Sequence, residues 1–96
     1  MIKEVICFGA DWCGPCKVYH PIFHKVSEMQ EFNNIKFTDV DVDDDDDLVE
    51  KYKIMSVPTT IVLDKIGKVI HRQQGAMMES NLISLLNKLS ENENAG

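Results

Sequence analysis

The chain has 96 residues and a formal net charge of −6, enough for one small domain with a single core. No basic stripe exists to neutralise phosphates, which excludes nucleic acid and anionic membrane surfaces as direct partners. No apolar run approaches the roughly 20 residues of a membrane span. Three cysteines are too few, and unevenly paired, for a disulfide-stapled secreted domain. One close pair plus an isolated Cys7 fits a reactive dithiol and a separate buried thiol. Met1 to Glu4 leads straight into a strand-like run with no signal-peptide core, so the expected location is the cytoplasm.

In chain order, Val5 to Gly9 is β-prone and almost wholly apolar, the pattern of a strand covered on both faces. A helix is expected from about Cys13 to Glu31, with Val18, Ile22, Val26 and Met29 as its inner face and a kink at Pro21. Asn33-Asn34 is a turn. Ile35 to Val42 alternates as a strand. The run Asp43 to Asp47 suits the positive end of a helix that continues through Leu48, Val49, Tyr52 and Ile54. Met55 to Pro58 reads as a loop. Thr59 to Asp64 and Val69 to Gln74 read as a hairpin turning at Gly67. Gly75 breaks the pattern. Leu82, Leu85, Leu86 and Leu89 line a last helix, and residues 90–96 are a polar tail expected to fray. The order β-α-β-α-β-β-α over a single domain, 1–96, predicts an α/β fold. Its sheet is mixed and four-stranded, flanked by three helices on both faces.

The chemistry concentrates at Trp12-Cys13-Gly14-Pro15-Cys16-Lys17. Cys-x-x-Cys between a strand and a helix is a redox pattern. Cys13 falls at a helix start, where free N–H groups and the dipole stabilise a thiolate. Cys16 lies one turn on, within reach of a disulfide and more deeply placed. Pro15 costs no hydrogen bond in a first turn, Gly14 lets a partner's backbone approach, and Trp12 adds an apolar shoulder. The implied reaction is attack of Cys13 on a partner disulfide, then resolution of the mixed disulfide by Cys16. The same spacing also serves zinc, with His20 and His24 as further ligands, but the Gly-Pro insert and the preceding Trp suit a redox loop better. Asp39-x-Asp41-x-Asp43 with Asp45, Asp47 and Glu50 mimics calcium-loop spacing, yet Asp44 stands where that loop needs glycine.

Trp12 to Lys17, led by Phe8-x-Ala10, resembles the active site of the thioredoxin family. Pro21 sits where that family kinks its first active-site helix. Val57-Pro58-Thr59 is similar to its cis-proline loop, Asp64 to Gly67 to its hairpin, and Gly75-Ala76 to its last substrate-facing turn. The resemblance covers about Val5 to Leu89. It implies a thioredoxin-like fold and a protein disulfide reductase with Cys13 as nucleophile and Cys16 as resolving thiol. Trp12, Gly14, Pro15, Val57, Pro58, Gly75 and Ala76 would form the client-binding patch. It further implies a monomer with no bound cofactor, electrons arriving from NADPH through a thioredoxin reductase, and client proteins carrying disulfides as partners. Two other readings stay open: a non-catalytic thioredoxin-fold subunit of a larger assembly, and a glutaredoxin-like thiol enzyme.

Two departures from the family pattern stand out. The strand and helix that usually precede Val5 to Gly9 have no counterpart, so Ile35 to Val42 is expected at the sheet edge, guarded by Asp39, Asp41 and Asp43. The family's buried aspartate, six residues before the first motif cysteine, is Cys7 here, and its partner lysine is Asp39. Asp39 is therefore a candidate proton relay for Cys16, and Cys7 is expected to fill core space.

Overall fold

The computed structural model describes residues 2–95, with side chains described to residue 90. The elements are β1 (Ile2–Gly9), α1 (Gly14–Ser27), β2 (Lys36–Asp41), α2 (Asp46–Lys51), β3 (Thr59–Asp64), β4 (Val69–Gln74) and α3 (Glu79–Ala95). One sheet runs in the order β2-β1-β3-β4. β1 pairs parallel with β2 and antiparallel with β3, and β3 pairs antiparallel with β4. This is the expected mixed four-stranded sheet with three helices. The expected frayed tail, 90–96, falls almost wholly outside the described side chains.

β1 is central because both of its faces are apolar. Val5, Ile6, Cys7 and Phe8 are all buried, and period-two alternation sends them to two cores. Val5 and Cys7 join Tyr19, Phe23 and Val26 of α1 and Leu82 and Leu86 of α3. Ile6 and Phe8 face the other way, onto Ile61, Leu63 and Tyr52, with Leu48 and Val49 of α2 packed against them. Phe8 and Tyr52 meet edge to face with ring centroids 5.9 Å apart, the arrangement ring quadrupoles favour. β2 lies at one edge of the sheet, where Asp39 and Asp41 keep it from templating another strand.

Helix α1 corrects two expectations. It ends at Ser27, and a separate 3₁₀ turn over Gln30–Phe32 replaces its expected last turn. Its buried stripe is Cys16, Tyr19, Phe23 and Val26, whereas Val18 is 65% exposed. Cys16 must face inward, and that sets the rotation of every later residue. The two aromatic rings then bury more area than a stripe through Val18 would. Tyr19 can go inside because its hydroxyl hydrogen-bonds the buried Thr60 hydroxyl at 2.8 Å. Ile22 and Met29 pack at the margin of the same cluster.

The acidic run does start a helix. Asp45 is the N-cap of α2, its carboxylate accepting from Leu48 N–H at 3.1 Å, a contact worth about 1 kcal/mol. Asp41 accepts from the Asp43 N–H at 2.9 Å. The carboxylates that mimic a calcium loop are thus spread over a strand, a turn, a cap and a helix. In the β3–β4 turn Asp64 Oδ1 accepts from the N–H groups of Ile66 and Lys68. Gly67 takes a φ of 85° there, which costs glycine little.

Candidate functional site

Strand β1 delivers the motif to the end of the sheet. Val42 N–H donates to Gly9 O at 2.9 Å, and Cys13 N–H donates to Ala10 O at 3.2 Å. The loop after β1 is thereby pinned to β2 and turned back on itself. Cys13 is the N-cap of α1, with extended backbone angles and Pro15 in the first turn. Cys13 and Cys16 are joined as a disulfide, their Cα atoms 5.3 Å apart. Both are buried, and Gly9 lies directly against Cys16.

The cap is made by sulfur. Cys13 Sγ accepts from the backbone N–H of Cys16 at 3.2 Å. When the pair is reduced, this donor and the helix dipole both favour the Cys13 thiolate. Val57 O lies 3.7 Å from the same sulfur. Cys13 and Cys16 form a small cluster with Ala10, against which Val42 and Val57 pack.

Of the residues expected to bind clients, Val57 packs against Cys13, and the others lie on the motif, the cis-proline loop and the turn after β4. Val57–Pro58 is a cis peptide, as expected. Pro58 O accepts from the Gly75 N–H at 2.8 Å, which ties the turn after β4 to the cis-proline loop. Gly75 adopts a φ of 91°, a conformation a side chain would strain. Gly14, Pro15, Gly75 and Ala76 are exposed. Trp12 is 69% exposed, yet its indole N–H donates to Asp43 Oδ2 at 3.0 Å. Asp43, expected as an edge guard, thus also holds the Trp12 ring.

A cavity of about 440 Å³ opens behind Cys16, lined by Cys7, Cys16, Lys17, His20, Asp39 and Asp41 among others. The register of β1 and β2 sets Cys7 directly beside Asp39. Burial pushes the Cys7 thiol up to about 12, and the Asp39 charge adds to the effect. Cys7 is therefore a neutral apolar floor to the cavity. Asp39 does not reach this cavity alone. Its Oδ2 lies 3.2 Å from His20 Nε2. His20, a candidate zinc ligand by spacing, is exposed and pairs instead with this carboxylate. The signal was its place one turn after Cys16 on the same helix face. His24, the other candidate zinc ligand, pairs with Glu28 at 3.3 Å.

This geometry matches known proteins over most of the chain. The thioredoxin family model aligns with residues 2–88. The chain belongs to the thioredoxin family. A thioredoxin of Mycoplasma pneumoniae is 37% identical over 86 residues, covering 90% of this chain and 81% of that protein. A thioredoxin of Coprinus comatus is 49% identical over 72 residues, covering 75% of this chain and 67% of its own. The crystal structure of Malassezia sympodialis thioredoxin superposes with a TM-score of 0.80 at 34% identity, over 88% of this chain and 72% of that one. Membership makes this chain a protein disulfide oxidoreductase, with Cys13 and Cys16 placed as a redox-active pair.

Proposed function

We propose that this protein reduces disulfides of client proteins in the cytoplasm as a monomer, drawing electrons from NADPH through a thioredoxin reductase. The observation that carries the reading is the Cys13 sulfur at the N-cap of α1, accepting the Cys16 N–H. A thiolate in that position attacks one sulfur of a client disulfide, and the other client sulfur leaves. Cys16 then attacks Cys13, the client's second sulfur leaves, and Cys13–Cys16 remains oxidised. Trp12, Gly14, Pro15, Val57, Pro58, Gly75 and Ala76 form the surface on which the client segment lies. The bond between Gly75 and Pro58 O supports that role, since it holds both sides of the patch together. Asp39 assists proton transfer at Cys16, and its place on the cavity behind that residue supports the assignment.

The test is NADPH consumption in the presence of a thioredoxin reductase and a protein disulfide substrate. Turnover is expected for the unsubstituted protein and none for Cys13→Ser. Cys16→Ser should accumulate a covalent Cys13–client adduct visible on a non-reducing gel. A doubly substituted protein, Cys13→Ser with Cys16→Ser, that kept its cellular function would instead favour a binding subunit.

A further inference from the structure

Resolution of the mixed disulfide requires Cys16 to lose a proton while it is enclosed. The cavity behind it is the route that proton can take, and three of its features decide which group receives it. Cys7 at its floor is held neutral, with its thiol pushed up to about 12, so the position under Cys16 offers no base. Asp39 and His20 are both exposed, with 45% and 59% of their side chains open to solvent, and as side-chain types an imidazole is a stronger base than a carboxylate. His20 lies one helical turn after Cys16, lines the same cavity and is bonded to Asp39. An imidazole exchanges protons near neutral pH.

We propose that His20, oriented by Asp39, accepts the Cys16 proton through solvent in this cavity, with Asp39 as the positioning residue. The proposal rests on the reading that Cys16 resolves the mixed disulfide. An ionised carboxylate only accepts hydrogen bonds, so Nε2 carries the hydrogen towards Asp39 and Nδ1 presents the free lone pair. The Cys16 S–H bond breaks and its proton passes to His20 Nδ1. The sulfur electron pair forms the Cys16–Cys13 bond, the Cys13–client bond breaks, and the client leaves as a thiolate. That thiolate takes a proton from solvent, and the imidazolium returns its own to solvent. The cavity is large enough for the bridging water, and His20, Asp39 and Asp41 give it polar partners on walls that are otherwise mostly apolar.

The charged groups around His20 come from several elements. Asp39 and Asp41 on β2 and Asp11 on the motif loop line the cavity. Lys17 opposes them from the preceding turn. His24 stacks on His20 with centroids 6.3 Å apart, and its own partner is Glu28. Lys25 borders the outer side of the ring.

The test separates the two chemical steps with a chromogenic aryl disulfide. One aryl thiolate is released when Cys13 attacks and a second when Cys16 resolves. In the unsubstituted protein the second-phase rate should rise through an inflection between about pH 5 and 8. His20→Gln keeps a hydrogen bond to Asp39 but cannot exchange the proton. It should slow the second phase at neutral pH by about tenfold or more and remove the inflection, while the first phase changes less than about twofold. Asp39→Asn should retain the inflection and slow the second phase less than His20→Gln does, because the imidazole remains but loses the acceptor that orients it. An unchanged second phase in His20→Gln overturns the proposal. So does loss of the inflection in Asp39→Asn alone, which would make the carboxylate itself the base. Failure of the resolving role has a different signature: no second phase in the unsubstituted protein.

Discussion

Replacing Cys7 by alanine should change how stability depends on pH, and the size of the change follows from burial. The Cys7 side chain is 6% exposed, and its thiol is pushed from an ordinary 9.0 to about 12, first by burial and second by the Asp39 charge. Above about pH 9 the unfolded chain releases this proton while the folded chain keeps it. Stability is therefore complete below pH 9 and falls as pH rises, by about 1.4 kcal/mol per unit until the folded thiol titrates. Across the whole window the loss comes to about 4 kcal/mol, a large part of the roughly 5–15 kcal/mol that holds a domain together. Tyr19 is also held above its ordinary range, chiefly by burial, but it is present in both proteins. The assay is urea unfolding of the oxidised protein at pH 8, 9 and 10, with and without Cys7→Ala. In the oxidised form Cys13 and Cys16 do not titrate. The substituted protein starts lower because of the cavity it creates, but its midpoint should fall less between pH 9 and 10, by about 1 kcal/mol. Parallel decline of the two proteins would refute a buried neutral thiol at this position.

Two further outcomes are expected. Tyr19→Phe leaves the buried Thr60 hydroxyl without its 2.8 Å partner and should cost about 1–3 kcal/mol in urea unfolding. Adding Thr60→Val should recover part of that loss. Asp43→Ala removes the acceptor of the Trp12 indole; the anisotropy of the single tryptophan should fall, with stability changed by less than about 1 kcal/mol.

Element order, sheet topology and the reactive pair were legible in the sequence because each rests on a local signal. Val5 to Gly9 is apolar at every pleat position but its last. The Gly67 hairpin has its turn residue, and the cysteines sit at a helix start where Pro15 costs no hydrogen bond. The rotation of α1 was not legible. Two apolar stripes overlap at Val26, one through Val18 and Ile22 and the other through Tyr19 and Phe23. Cys16 facing inward selects the second, and that stripe can be buried because Thr60 meets the Tyr19 hydroxyl across 41 positions, a partner no local pattern reveals. The pairing of His20 with Asp39 was equally hidden. It spans 19 positions and arises only because the crossover through α1 sets its second turn over β2. Asp43 shows the same limit: its charge is plain in the sequence, but its use depends on where Trp12 comes to lie.

The register that sets Cys7 beside Asp39 makes the order in which these two positions change matter. In the thioredoxin family the acid usually stands at the first position and a lysine at the second. Moving from this chain to that pattern by Cys7→Asp first would place two carboxylates side by side in a partly enclosed space, and one would have to hold a proton. Moving by Asp39→Lys first would remove the acceptor from His20 and set a cation over a neutral thiol. Only the double exchange gives a matched pair again. The two positions are therefore coupled, because a change at either alters the charge that the other meets.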